Sequence, residues 1–308
     1  MRFLDEAREF YERYGAPMLH EQFPDYEGRI AVGLAGHGSE CFGFDDALSR
    51  DHDFELGFCL WIDDETDREI GVALNRAYRA LPFERAAQRS NLSENPRGVR
   101  RISDFYRRYT GTPGAPETWQ QWLYLPSHAL AEATNGEVWR DDAGVFSAIR
   151  EKIASGMPED VRTKKLAACA VTMAQSGQYN YARCLSHGEE GAAMLALGEF
   201  VRSSMLMIYL LNRRHMPYYK WAFRGMDALP RLSELRTALE YLLTGENDAA
   251  GRETKRGVVE DICAAVVREL SEQGLSCGTW DYMEAHGLDM QGHIKNPEIR
   301  ALHVLEGI

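Results

Sequence analysis

The 308 residues carry 44% hydrophobic, 27% charged and 10% aromatic side chains, which excludes a disordered or fibrous chain and suits two domains of ordinary size. Acidic groups number 47 against 35 basic ones, a formal net charge of −12 that repels phosphate backbones and anionic membranes and so disfavours nucleic acid and membrane as partners. The six cysteines (Cys41, Cys59, Cys169, Cys184, Cys263 and Cys277) show no CxxC pair and no metal-finger spacing, the pattern of free buried thiols in a reducing compartment. The opening MRFLDEAREFYERYG lacks the apolar stretch of a signal peptide, and the longest apolar run, Ser204–Leu211, is less than half a bilayer span. A cytoplasmic, soluble protein is expected.

Leu4, Phe10, Tyr11 and Tyr14 recur at helical spacing and predict a first helix that stops near Gly15–Pro17. Arg29–Gly36 (RIAVGLAG) reads as a buried strand bounded by glycines, and Phe54–Ile62 (FELGFCLWI) as a second strand ended by the acidic turn Asp63–Glu65. Thr66–Leu81 is a helix with Thr66 and Glu69 at capping-box spacing, closed by Pro82. Gly98–Ile102 is a third strand, and Ser103 is expected to cap the short helix carrying Phe105, Tyr106 and Tyr109. Thr110–Pro116 (TGTPGAP) reads as a linker. Beyond it the pattern is helical throughout, with short loops such as Ser155–Pro158 and Ser176–Gln178, as in an antiparallel bundle. The expected fold class is α+β: an α/β domain with a mixed sheet over residues 1–112, followed by an all-α helical-bundle domain over residues 113–308.

One stretch stands apart. Residues 37–69 hold eleven acidic and two basic side chains, a local charge of −9. Within it Gly36-His37-Gly38-Ser39 follows the first strand, and Asp51-His52-Asp53-Phe54-Glu55 opens the second. Side chains alternate along a strand, so Asp51, Asp53 and Glu55 share a face, with neighbouring members about 7 Å apart. Two carboxylates so held repel each other unless a cation lies between them. A hard divalent ion such as Mg²⁺, for which Mn²⁺ can stand in, bound by one or two carboxylates and phosphate oxygens, relieves that repulsion. Gly38 and Ser39 offer backbone N–H groups and a hydroxyl to a phosphate. There is no GxxxxGK[ST], GxSxG or HExxH, and His37 reads as a loop side chain.

The order strand, Gly-Ser, short helix, Asp-x-Asp resembles the nucleotidyltransferase superfamily of the DNA polymerase β type. Gly38-Ser39-Glu40-Cys41-Phe42-Gly43-Phe44-Asp45-Asp46 with Ser49-Arg50-Asp51-His52-Asp53-Phe54 is similar to an uncharacterised bacterial nucleotidyltransferase-like family with a domain of unknown function. Ala133–Val138, Met173–Tyr181 and Leu211–Trp221 extend that resemblance from about residue 30 to about residue 225. It implies a nucleotidyltransferase domain with a helical partner, the layout of aminoglycoside nucleotidyltransferases. It also implies that Gly38 and Ser39 hold the triphosphate of a nucleoside triphosphate and that Asp51 and Asp53 bind the metal. The superfamily often adds a third carboxylate from a neighbouring strand; Glu55 and Asp104 are the two alternatives here, Asp104 reading equally as a first-turn helix acid.

In the helical region Lys220 opens a helix, where an ammonium opposes the dipole; it reads either as a ligand of the nucleotide phosphates or as a solvated lysine. Gln178, Tyr179 and Asn180 sit in a polar loop between long helices and read either as the acceptor side or as loop polarity alone, and Glu199 is either a buried general base or the partner of Arg202 or Arg213. The expected activity is transfer of a nucleoside monophosphate to a hydroxyl or amine of a small-molecule acceptor, cationic by the charge argument. The alternatives are a protein-modifying transferase of the toxin type and a non-catalytic nucleotide-binding module. The sequence leaves the oligomeric state open.

Overall fold

A computed structural model describes residues 2–45, 56–83 and 97–308 of the chain. It is an α+β protein of two compact units: Met1–Glu117 with Ala129–Gly156, and Thr118–His128 with Met157–Ile308.

The first unit is built on a mixed four-stranded sheet in the order β3-β2-β1-β4, from β1 (Ala31–Leu34), β2 (Cys59–Ile62), β3 (Gly98–Arg101) and β4 (Glu137–Arg140). β1 pairs antiparallel with β2 (Val32 opposite Leu60) and with β4 (Gly33 opposite Val138), and β2 pairs parallel with β3 (Leu60 opposite Val99). β1 and β2 are wholly buried, as central strands covered on both faces should be. On one side lie helices α1 (Phe3–Phe10) and α2 (Ala16–Gln22), joined by the π-helical turn Tyr11–Gly15, and α3 (Asp64–Arg79). Phe10, Tyr11, Leu19, Phe58, Leu60, Leu74 and Tyr78 form the core there. α4 (Ile102–Thr110) and α7 (Val145–Ser155) supply a second aromatic cluster, in which Phe146 stacks on Trp61 with ring centroids 4.0 Å apart.

Several local expectations are corrected. The first helix does not stop at Gly15–Pro17; a π turn in which the Ala16 N–H donates to the Tyr11 carbonyl carries the helical run past Pro17 to Gln22. The second strand starts at Cys59, with residues 54 and 55 outside the described ones and Leu56–Phe58 not in the ladder. The cap of α3 is Asp63, whose carboxylate accepts the Thr66 N–H at 2.7 Å, so Thr66 lies inside the first turn. α4 starts at Ile102 without a side-chain cap, and the Ser103 hydroxyl donates instead to Asp64 at 2.7 Å. Thr110–Pro116 is no free linker: the Thr110 hydroxyl is bonded to Tyr106 and Gly114 carbonyls, and the whole segment falls within the first unit. A strand and a helix from beyond it, β4 and α7, also belong to that unit. The region expected to be purely helical therefore contributes the sheet's fourth strand, because β1 needs a partner on its open edge.

The second unit is helical: α5 (Trp119–Tyr124), α8 (Glu159–Met173), α9 (Ala182–Ser186), α10 (Glu190–Leu211), α11 (Tyr219–Met226), α12 (Leu235–Thr244), α13 (Ala249–Glu272), α14 (Met283–His293) and α15 (Pro297–Arg300). The unit boundary cuts α6 (Ser127–Thr134) after His128. α10 has the length and apolarity of a membrane span, but 61% of that window is buried in the core, among Phe200, Ile208, Met173 and Val266. α8 carries three buried cations that are all bonded. Arg162 reaches Leu210, Glu159 and Gln273; Lys164 reaches the His303 and Val304 carbonyls, and Lys165 those of Leu123 and Gly307. These lysines fix the C-terminal tail, and burial pulls both amines down to about 8.

Cys41, Cys59, Cys169 and Cys263 are buried, whereas Cys184 is half-buried and Cys277 exposed, so the expectation of buried thiols holds for four of the six. Burial pushes the Cys59 thiol up to about 11 and Cys169 to about 12, out of thiolate reach at neutral pH. A water-soluble maleimide added to the native protein at pH 7.5 should label Cys277 first and Cys184 more slowly, with the four buried thiols reacting only in denaturant. Mass spectrometry of the digested adduct checks this, and early labelling of Cys59 or Cys169 would show that the core is open.

Candidate functional site

β1 ends at Leu34 and runs into a turn with two left-handed glycines, Gly36 at φ +112° and Gly38 at φ +125°. A side chain at either position would be strained. The turn is held from behind by the segment that follows α6. The Gly36 N–H donates to Asn135 Oδ1 at 2.7 Å, and Asn135 Nδ2 donates back to the Gly36 carbonyl at 2.7 Å. The His37 N–H donates to the Tyr109 hydroxyl at 3.2 Å, and the Cys41 thiol to the His37 carbonyl at 3.7 Å. Asn135 is itself fixed: Arg150 donates to its carbonyl at 2.5 Å and to that of Gly136 at 3.0 Å. Gly136, at φ +68°, crosses so close to Leu34 that any Cβ there would collide with the Leu34 carbonyl.

Ser39 leads into the single 3-10 turn Glu40–Phe42, and its carbonyl accepts from Phe42 and Phe44. Its hydroxyl makes no hydrogen bond to a described residue. Glu40 folds back so that its carboxylate lies against Gly38, where a methyl group would collide with both oxygens. Arg97 donates to that carboxylate at 2.9 Å and is 5% exposed, against 19% for Glu40. On the other side of the turn the imidazole of His37, 65% exposed, lies 3.4 Å from the carboxylate of Glu132, 11% exposed. That carboxylate raises the His37 pKa above its usual value, with burial and Arg108 opposing and Glu40 assisting.

Asp51, Asp53 and Glu55 lie outside the described residues. Asp104 is bonded to Arg101 at 2.7 Å and to Arg107 at 2.9 Å on an exposed surface, the environment of a first-turn helix acid. β3, the neighbour of β2, carries Arg100 and Arg101 and is preceded by Arg97. Among the described residues no group of three or more His, Cys, Asp or Glu converges as a metal site.

The second unit separates its candidates. Lys220 is exposed at the start of α11, beside the Tyr218–Tyr219 ring pair at 4.4 Å, and makes no hydrogen bond or ion pair with a described residue. The loop expected at Ser176–Gln178 is instead a π-helical turn, Ala174–Tyr181. Gln178 is structural there, donating to Glu260 and to the Asp281 carbonyl and accepting from Met283 N–H. Tyr179 and Asn180 are exposed on the same turn, Tyr179 beneath the Arg183 guanidinium. Glu199 is not buried: its side chain is 43% exposed and pairs with Arg202 at 3.3 Å. Sequence reasoning missed Glu40, Arg97, Tyr109, Glu132 and Asn135. Of these, Glu40 and Asn135 lay within segments that carry the resemblance, with no role assigned to either.

A family described as "Domain of unknown function (DUF4037)" matches residues 122–222, a stretch shorter than half of the chain. The crystal structure of a nucleotidyltransferase-like protein from Exiguobacterium sibiricum 255-15 is similar over 92% of this chain and 77% of its own, with 11% sequence identity and a TM-score of 0.35. No curated protein matches.

The His37–Glu132 pair carries a pH signature. The folded pKa is raised, so the stability it contributes is fully present below the unfolded value of about 6.5 and is lost as pH rises through the folded one. The NMR titration midpoint of His37 should lie above 6.5 in the parent protein and fall towards that value in Glu132→Gln, with the thermal midpoint of the parent declining over the same window. Identical His37 midpoints in the two proteins would show that the pair is only a packing contact.

Proposed function

We propose that the chain transfers a nucleoside monophosphate from a nucleoside triphosphate to a hydroxyl or amine of a small acceptor. The observation that carries this is the rigid turn Gly36–Ser39 at the end of β1, held by Asn135 and Tyr109 and followed in the sequence by Asp51-x-Asp53. In this reading Gly38 and Ser39 meet the triphosphate, the unengaged Ser39 hydroxyl donating to a phosphate oxygen. Asp51 and Asp53 hold Mg²⁺ or Mn²⁺: two carboxylates two residues apart are the donor chemistry that a hard cation takes. When bound, the ion neutralises charge on the α-phosphate and the leaving pyrophosphate. The acceptor oxygen or nitrogen attacks the α-phosphorus in line, its bond to the pyrophosphate oxygen breaks, and the acceptor loses a proton. Lys220 and, for the acceptor, Tyr179 and Asn180 remain candidates from the sequence, each described within the second unit by itself.

A second reading, nucleotide binding without transfer, is favoured by one observation. The strand beside β2 carries arginines where a third carboxylate was expected, and Asp104 is engaged by Arg101 and Arg107.

The deciding experiment incubates the protein with Mg²⁺, labelled nucleoside triphosphates and a panel of amines and alcohols. Label should pass to an acceptor in the parent protein and not in Asp51→Asn or Asp53→Asn, whose thermal midpoints should be unchanged or higher because like-charge repulsion is relieved. Lys220→Ala should weaken triphosphate affinity by about 1.5–3 kcal/mol, the scale of a charge-assisted hydrogen bond. Binding without transfer to any acceptor would favour the second reading, and a large loss of stability in the Asp variants would make those carboxylates structural.

A further inference from the structure

We propose that the second unit binds a small phosphate monoester in the cleft where α10 and α13 end, with Arg213 and Arg231 holding the phosphate. This goes beyond the transfer reaction above and uses none of its residues.

The cleft has a volume of about 310 Å³ and is lined by Leu211, Asn212, Arg213, Pro230, Arg231 and Gln273. Its amides are already engaged. Asn212 donates to the Ile208 and Arg231 carbonyls and accepts the Arg231 N–H. Gln273 donates to the Leu211 carbonyl and Glu269 and accepts from Arg162. The guanidiniums are less committed. Arg213 donates through Nη1 to Glu159 at 2.9 Å, and Arg231 through Nη1 to Glu269 at 2.8 Å, with Glu272 at 3.6 Å. Their Nε and Nη2 groups make no hydrogen bond to a described residue, and the two side chains are 63% and 49% exposed.

Capping does not account for these arginines. A basic side chain near a helix C-terminus ordinarily bonds the last carbonyls. Here the Tyr209 carbonyl takes the Arg214 N–H, Leu210 takes Arg162 Nε, and Leu211 takes Gln273. Charge is also unevenly shared, because Glu159 serves both Arg213 and the buried Arg162, whose other partners are neutral.

Backbone strain marks the same place. Among the described residues, Arg213 (φ +53°) and Leu232 (φ +58°) are the two non-glycine residues in the left-handed region; one is a cleft arginine and the other follows one. Arg213 stands directly after the C-cap Asn212, where glycine closes a helix without strain. An exposed ion pair repays little of that strain, and strain of this kind collects at binding sites. Unengaged guanidinium forks match paired oxygens, and a phosphate monoester offers three on a doubly charged group. Leu211 and Pro230 give its organic part an apolar wall.

The test titrates the full chain with phenyl phosphate by calorimetry, and the parent should bind one equivalent. Arg213→Gly keeps the left-handed turn and removes the fork. It should weaken binding at least about tenfold, the scale of one charge-assisted hydrogen bond, with an unchanged or higher thermal midpoint. Arg231→Gln should weaken binding similarly, and benzoate, with one charge on two oxygens, should bind the parent more weakly. A parent that does not bind phenyl phosphate, or folded variants that bind it as the parent does, would overturn the site. Equal affinity for benzoate would overturn the phosphate assignment. A large loss of stability in Arg213→Gly would make that arginine structural and overturn its role.

Discussion

Two hydrogen bonds from one carboxamide organise the first unit. Asn135 bonds both the N–H and the carbonyl of Gly36, which lies 99 residues earlier in the chain. A left-handed glycine turn between a strand and a short helical turn has no ladder of its own to fix its peptides. Asn135 supplies the missing partners, Arg150 fixes Asn135, and Gly136 lets the crossing chain touch Leu34. β4 then adds to the free edge of β1 and carries the chain into α7, whose Phe146 stacks on Trp61. The sheet edge, the aromatic cluster and the turn are thus one construction, and its hub is the piece of chain that returns after an excursion through α5.

The electrostatics of the same unit change how its charge is read. Residues 37–69 carry a local charge of −9, which by counting alone suggests an open field for a cationic acceptor. In the structure Arg29 reaches Asp63, Glu65 and Glu69, Arg101 reaches Asp64, and Arg97 holds Glu40. Every basic side chain of residues 1–112 other than histidine is arginine, whose planar fork suits several carboxylates at once. Much of the acid excess is therefore internal pairing. The described carboxylates lend a cationic acceptor less support than their number implies.

What the sequence revealed and what it concealed follow a physical line. The two buried strands were legible as apolar runs, the capped acidic start of α3 was legible within three residues, and the glycine turn announced itself by composition. β4 was not: Glu137–Arg140 is four residues long and half-buried, too short to show a period. The π-helical stretches were not, because Pro17 and Gly177 are ordinary helix breakers and only the packing of Phe58 on Gly15 and Phe200 on Gly177 shows why the helices continue. Of the two readings of Glu199, buried base or partner of an arginine, the pairing with Arg202 is the one the structure has. The clamp on Gly36 was invisible for a simpler reason: no spacing rule joins residues 36 and 135.

If the turn is where nucleotide phosphates settle, its backbone must feel them. Hydrogen exchange of the parent protein with and without ATP and Mg²⁺ measures this directly, peptide by peptide. A nucleotide site at the turn predicts slower exchange in the peptides covering Gly36–Phe42 and Asp51–Asp53 when ATP is present, with β4 and α7 unchanged because they are already bonded. Exchange at the turn that is the same with and without saturating ATP would contradict it.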